Sequence, residues 1–275
     1  MMGRIWVLTR YLSRRGLLSL TGLLYLIGTL IFWFIFFPPQ QGTPSIANYM
    51  LLIGAFGAAV AFLLTLTITT QANQAINYPL LVRLPSRVEY LTAVLLSSLF
   101  IALLLQGLVA LLAMYQGPGL SPRLLELPPF WLALNLLAIV LALHASDFVT
   151  DGWSRVYVYG ALALLLISQS SEGLFSQWLA GRMALFSRYL MQQEMVGLSN
   201  QVAQFANWLQ GGGGEGLTAV FGIVFWPFQA ILEAIIAGGF NTVQALAPAV
   251  LLLYATILFM LAADLFATKD VDFVE

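Results

Sequence analysis

The sequence predicts an all-α membrane protein, a polytopic helix bundle, from three observations. Of 275 residues, 60% are apolar or aromatic and only 8% are charged. The charge-poor stretches recur from end to end in runs close to membrane thickness. The positive charges cluster at alternate ends of those runs. A soluble domain carries about 25% charged residues, and a ball of this size could not cover its surface with so few. The composition excludes a water-soluble enzyme and a disordered tail. The net charge of −1 excludes a basic footprint for nucleic acid. There are no cysteines, so disulfides, thiolate metal sites and thiol catalysis are excluded as well.

The segment 1–16 carries Arg4, Arg10, Arg14 and Arg15 among Trp6, Tyr11 and apolar residues. It reads as an interfacial helix leading into a first span, 17–37. A helix of that length covers about 31 Å, close to the hydrocarbon thickness. The run is longer than the apolar core of a signal peptide, and no small-x-small cleavage site follows it, so an uncleaved span is expected. The second span, 47–70, is rich in small residues (Gly54, Ala55, Gly57, Ala58, Ala59, Ala61). Such a face lets helices approach closely, and plain packing suffices to explain it. The third span is 90–115. The breakers Gly117-Pro118-Gly119 and Pro128-Pro129 bracket the loop to the fourth, 130–145. The fifth is 156–170 and the sixth 245–263.

With the N-terminus in the cytoplasm, Arg4, Arg10, Arg14, Arg15, Arg83, Arg87, Arg155 and Lys269 fall inside. Only Arg123, Arg182 and Arg188 fall outside. This obeys the positive-inside rule, and six spans return the C-terminus to the cytoplasm. The expected location is the cell membrane, plasma or inner, with both termini cytoplasmic. Within 172–240, expected to hold extracellular helices and a possible re-entrant segment, the stretch Glu172–Gly216 is too long for an ordinary loop. Its middle has polar and apolar residues at helical spacing, as amphipathic helices on the outer surface would. Leu217–Ala237 is apolar enough to span, but Trp226-Pro227 and Glu233 interrupt it. A short hydrophobic helix or re-entrant hairpin at the outer face is expected there.

Candidate chemistry is sparse. The glycine run at 211–214 lacks the Lys-Ser or Lys-Thr of a phosphate-binding loop and reads as a linker. His144, Asp147 and Asp151 are spaced to share one helical face. That would suit a metal or a proton relay, or simply polar residues at the inner end of the fourth span. Mid-span ionisable residues, the usual mark of ion-coupled transport, are missing from the six spans. No catalytic, metal or cofactor-binding residue is assigned.

The most informative segment is 71–89, between the second and third spans. A short amphipathic helix there, followed by Pro85-Ser86-Arg87-Val88-Glu89-Tyr90, would make a knob on the cytoplasmic face. The alternative is an ordinary inside loop whose arginines, Arg83 and Arg87, only set topology. The run Leu80-Leu81-Val82-Arg83-Leu84-Pro85-Ser86-Arg87-Val88-Glu89-Tyr90 is similar to the Leu-Leu-x-x-Pro-x-Ser-Arg-x-Glu-Tyr pattern of ABC-2 type transporter permeases. The ending Leu265–Val271 also looks like the short tail of that family. The order of parts resembles it over the whole chain: basic interfacial helix, six spans, coupling helix, small extracellular helices. The neutral Gln71-Ala72-Asn73-Gln74 departs from it, because the family often has an acidic residue and an arginine there.

The resemblance implies the membrane-spanning subunit of an ABC exporter. Its partners would be an ATP-binding subunit, a second permease copy or a homologous permease, and the lipid bilayer. ATP and Mg would belong to the partner subunit, with no cofactor in this chain. Coupling to the ATPase would fall to Tyr78, Pro79, Arg83, Pro85, Arg87 and Glu89. The interfacial helix would present Trp6, Arg10, Tyr11, Arg14 and Arg15. The alternatives are an ATP-independent channel or secondary transporter, and an assembly subunit that moves nothing itself.

Overall fold

A computed structural model describes residues 2–38, 45–77, 79, 83–115, 127–150, 155–160, 162, 174–208, 214–237 and 239–268. Among them the chain is helical, without a strand. It divides into two compact units, one formed by residues 1–159 and 231–275, the other by residues 160–230.

The first unit opens with α1 (Met2–Leu17) and α2 (Leu20–Phe36), which meet at a bend of 69°. Three contacts make this elbow. Ser19 Oγ accepts from Gly22 N at 3.0 Å and donates to Gly16 O at 2.7 Å, so one hydroxyl closes α1 and caps α2. Gly22 lies against the end of α1, where a Cβ would run into the carbonyl oxygens of Gly16 and Leu17. An elbow this tight therefore needs glycine at position 22.

The remaining helices of this unit are α3 (Ile46–Ala72), α4 (Arg87–Met114), α5 (Leu127–Ala145) and α9 (Ala247–Thr268). Ser45 and Ser86 cap α3 and α4 by accepting from Asn48 N and Val88 N. α3 packs on α4 and α5, α5 on α9, and α1 on α4. α2 stands at the margin: Thr29 is its only buried side chain, and Leu23, Leu24, Ile31, Phe34 and Ile35 are exposed.

Among the described residues, four helical stretches are long and apolar enough to cross a membrane: Ile46–Ala72, Arg87–Met114, Pro128–Ala145 and Gln244–Thr268. The bent pair α1–α2 brings the number to five if it counts as one span. The chain is thus an α-helical, multi-pass membrane protein. Of the six spans expected, the second, third, fourth and sixth coincide with these four helices. The first corresponds to α2, 17 residues long. The fifth, 156–170, lies mostly outside the described residues, of which 155–160 and 162 are helical. The helices also run beyond the apolar limits. α3 continues through Gln71 and Ala72, and α4 begins at Arg87, because a helix ends where its cap lies and not where hydrocarbon ends.

The second unit contains α6 (Leu174–Gln192) and α7 (Val196–Trp208), packed as a hairpin. The reversal falls at Glu194, whose φ of 59° is left-handed. Met195 N bonds back to Leu190 O at 3.0 Å across the turn. Buried Ser187 and Ser199 tie the two helices by reciprocal bonds, each hydroxyl donating to the other residue's carbonyl at 3.0 and 2.9 Å. Both helices expose large apolar side chains, including Phe186, Tyr189 and Phe205. Leu217–Ala237 falls within one continuous helix, α8 (Gly214–Ala237), which carries Pro227 internally.

Candidate functional site

The candidate site is the end of the first unit where α3 gives way to α4, facing α1. Its framework starts with the side chain of Asn77, in a single 3₁₀ turn at Ala75–Asn77. Asn77 is buried, and its Nδ2 donates to Gln71 O at 2.7 Å and Ala72 O at 3.4 Å. Those carbonyls belong to the last turn of α3, where no intrahelical partner remains. Tyr90, fully buried at the start of α4, donates its hydroxyl to Ala72 O at 3.3 Å. One helix end is therefore closed by a side chain from the loop and another from the following helix. Within 71–89, where an amphipathic helix is expected, the described residues comprise the end of α3, this 3₁₀ turn and helical Pro79 and Arg83. Residues 78 and 80–82 lie outside the described residues.

The site is then fastened to α1. Arg15 donates from Nη2 to Gln74 Oε1 at 2.8 Å and from Nη1 to Asn77 Oδ1 at 3.3 Å. At the other end of α1, Arg4 lies beside Glu89, with Nη2–Oε1 and Nε–Oε2 both at 3.3 Å. Glu89 is 3% exposed, whereas Arg4 is 54% exposed. A carboxylate that deep is costly without a cation, so α1 supplies what α4 buries.

Behind the site, Tyr90 meets Phe148 at a ring-centroid separation of 6.0 Å, and Phe148 meets Phe266 at 4.5 Å. All three rings are buried and connect α4 to the turn after α5 and to α9. His144, at the end of α5, is also buried, and its Nε2 lies 2.9 Å from Leu258 O on α9. A carbonyl only accepts, so Nε2 donates. Asp147 pairs with Arg155. His144 and Asp147 are thus committed to different partners, and Asp151 lies outside the described residues. Among the described residues no cluster of three His, Asp or Glu side chains is placed to hold a metal ion.

The residues singled out from the sequence fall into two groups. Glu89 is buried and holds the framework. Pro79, Arg83, Pro85 and Arg87 are exposed, so they form the outer surface of the same segment. Tyr78 lies outside the described residues. On α1, Trp6, Arg10, Tyr11 and Arg14 are exposed, and Arg15 is half-buried against the loop. Sequence reasoning missed three anchors: Asn77, Gln74 and the pairing role of Arg4. The spacing of Arg4 and Arg15 by eleven residues, three helical turns, is the signal that could have found them. It puts both on one side of α1, at its two ends.

A cleft of about 920 Å³ opens beside this framework. Arg15, Asn73 and Gln74 line one side, and Asp147, Arg155 and Tyr159 the other. Both signs of charge reach it, with Asp147 and Arg155 paired to each other.

Inside the bundle lies a second polar constellation. Gln106 of α4 donates from Nε2 to Ile53 O at 3.0 Å and accepts at Oε1 from Asn135 Nδ2 at 2.7 Å. Both amides are buried, and Asn135 Oδ1 has no hydrogen-bond partner. Gly57 makes room: a Cβ there would occupy the space of the Gln106 amide. Tyr49 donates to Ala110 O at 2.9 Å one turn further along. The small-residue face of α3 thus receives specific side chains, Gln106 at Gly57 and the Phe130 ring at Gly54. No family model, curated protein or solved structure matches this chain.

Proposed function

We propose that this chain is the membrane-spanning permease subunit of an ATP-binding-cassette exporter. It would move its cargo with ATP hydrolysed by a separate subunit. The observation that carries this reading is the division of labour in the α3–α4 segment. One set of residues (Asn77, Glu89, Tyr90) ties the segment to α1, α3 and the aromatic core, and another (Arg83, Pro85, Arg87) stays on the surface. A lever must be fixed at its base and accessible at its tip. Closure of a partner seated on the tip would be transmitted through α1, α3 and α4 as a rigid-body movement. In this reading a second permease subunit completes the pathway, the segment faces the cytoplasm, and the membrane is the cell's plasma or inner membrane.

The test is copurification with the candidate ATP-binding subunit in mild detergent. Replacing Arg83, Pro85 and Arg87 together by Ala should abolish assembly or uncouple ATP hydrolysis from transport, without unfolding the chain. Unchanged assembly and coupling would reject the assignment.

The amide network of Gln106 and Asn135 favours a second reading, an ATP-independent channel or secondary transporter, because polar groups deep in a span often mark a pathway. Transport in ATP-free liposomes driven by an ion gradient alone, and lost on Asn135→Leu, would establish it and displace the first.

A further inference from the structure

Four arginines lie on α1, and they divide evenly. Arg4 and Arg15 are committed to Glu89, Gln74 and Asn77. Among the described residues the side chains of Arg10 and Arg14 make neither a hydrogen bond nor an ion pair with the protein, and both are exposed. They are four apart, so one turn of helix separates them.

Both line a groove of about 680 Å³ between α1 and α4. α1 contributes Trp6, Arg10, Ser13 and Arg14, and α4 contributes Leu96, Leu99, Phe100 and Leu103. The α4 set follows the i, i+3, i+4, i+7 pattern of one helical face and contains no polar atom beyond the backbone. Phe100 is 52% exposed and Trp6 67% exposed, so the groove opens outward. Ser13 is buried on its wall, and its hydroxyl has no hydrogen-bond partner.

We infer that the α1–α4 groove binds an anionic phospholipid, with the phosphate at Arg10 and Arg14 and an acyl chain along Leu96–Leu103. Charge complementarity decides the occupant. A purely apolar partner would leave two cations unanswered at the rim, and a soluble anion would leave the leucine wall exposed. A phospholipid satisfies both. Basic pockets at helix interfaces recognise lipid headgroups by the same physics. This inference rests on the membrane character of the helices alone and stands whether or not the transport proposal does.

The experiment uses the full-length chain in mild detergent, with phosphatidylglycerol or phosphatidylcholine carrying brominated acyl chains. Bromine quenches tryptophan fluorescence on contact, and subtracting the Trp6→Phe protein isolates the Trp6 signal. Two arginines at the surface predict a preference for phosphatidylglycerol on the order of tenfold. The double variant R10Q/R14Q should reduce phosphatidylglycerol to the phosphatidylcholine level, and R10K/R14K should keep most of the preference. Equal quenching by both lipids, or a preference that survives R10Q/R14Q in a protein with unchanged elution and helicity, would overturn the inference. So would displacement of the lipid by soluble glycerol phosphate, which would assign the arginines to a free phosphate. A loss of dimer in R10Q/R14Q with no Trp6 quenching in the parent would assign the groove to a second copy instead.

Discussion

The two polar regions of the first unit are built from opposite materials. Where α3 turns into α4, the bonds to α1 come from charged groups: Arg4 to Glu89 and Arg15 to the loop. Between α3, α4 and α5 the bonds are neutral: Gln106 to Ile53 and Asn135, Tyr49 to Ala110. Hydrocarbon explains the difference. At the boundary a charged side chain keeps part of its hydration, as Arg4 does, and an ion pair costs little to form. Within a span a charge costs several kcal/mol, and amides are the strongest bonding groups that come without one. The neutral network is therefore expected to be the more brittle, because both amides are buried and water cannot replace a lost partner.

The largest effect should come from Gly57. Gly57→Leu places side-chain atoms where the Gln106 amide sits. Displacing that amide breaks its bonds to Ile53 O and Asn135, and overpacking alone typically costs about 1–3 kcal/mol. Thermal unfolding in detergent should shift down further than for Asn135→Leu, Arg4→Gln or Arg15→Gln. A Gly57→Leu protein as stable as its parent would mean that Gln106 does not occupy the α3–α4 interface. Asn135→Leu is the companion variant in the same network. It removes the donor to Gln106 Oε1 but also the orphaned Asn135 Oδ1. Interhelical hydrogen bonds in membranes average about 0.6 kcal/mol. Removing the orphan offsets the Gln106 Oε1 that the variant leaves without its donor, so the net cost should stay under that of Gly57→Leu.

This contrast also separates what the sequence made legible from what it did not. Apolar run length alone located α3, α4, α5 and α9, because hydrocarbon thickness is a constraint each segment meets by itself. The small residues of α3 signalled close packing, and Gly54 and Gly57 have it. Which side chains enter those spaces is a three-helix question: Gln106 and Asn135 are 29 residues apart and meet only once α4 and α5 are packed. The same holds at the boundary. Arg87, Glu89 and Tyr90 stand out as one motif, but the motif splits in space, with Arg87 on the surface and its two neighbours inside. A helix turns by about 100° per residue, so adjacent letters of a motif cannot share a role that depends on facing. In the sequence Glu89 groups with the coupling surface, because its partner, Arg4, is 85 residues away.

The boundary pair gives an intermediate effect with a directional signature. Arg4→Gln leaves a carboxylate that is 3% exposed without its cation. Leaving a buried acceptor unpaired costs about 1–3 kcal/mol, and more when it is charged. Glu89→Gln leaves only an arginine that is half in solvent, which water can satisfy. Arg4→Gln should therefore destabilise more than Glu89→Gln, and the double variant should be no worse than Arg4→Gln alone. Equal effects in the two single variants, measured by the same unfolding transition, would show that the pair is fully hydrated.

The smallest effect should come from Arg15→Gln, and its place of action matters more than its size. Arg15 holds two side chains of the loop, both through partly exposed bonds, and such contacts contribute about 1 kcal/mol or less. Global unfolding should barely move. Asn77 keeps its own bonds to Gln71 O and Ala72 O, so the end of α3 stays closed. What changes is the coupling of that closed end to α1. Amide hydrogen exchange should rise at 73–77, leave Gln106 and its neighbours untouched, and leave the Arg4 end of α1 as it was. If exchange rose equally along the whole of α1, Arg15 would be holding the helix to the bundle and not the loop to the helix. The fixed base required of a lever would then rest on Asn77, Glu89 and Tyr90 without Arg15.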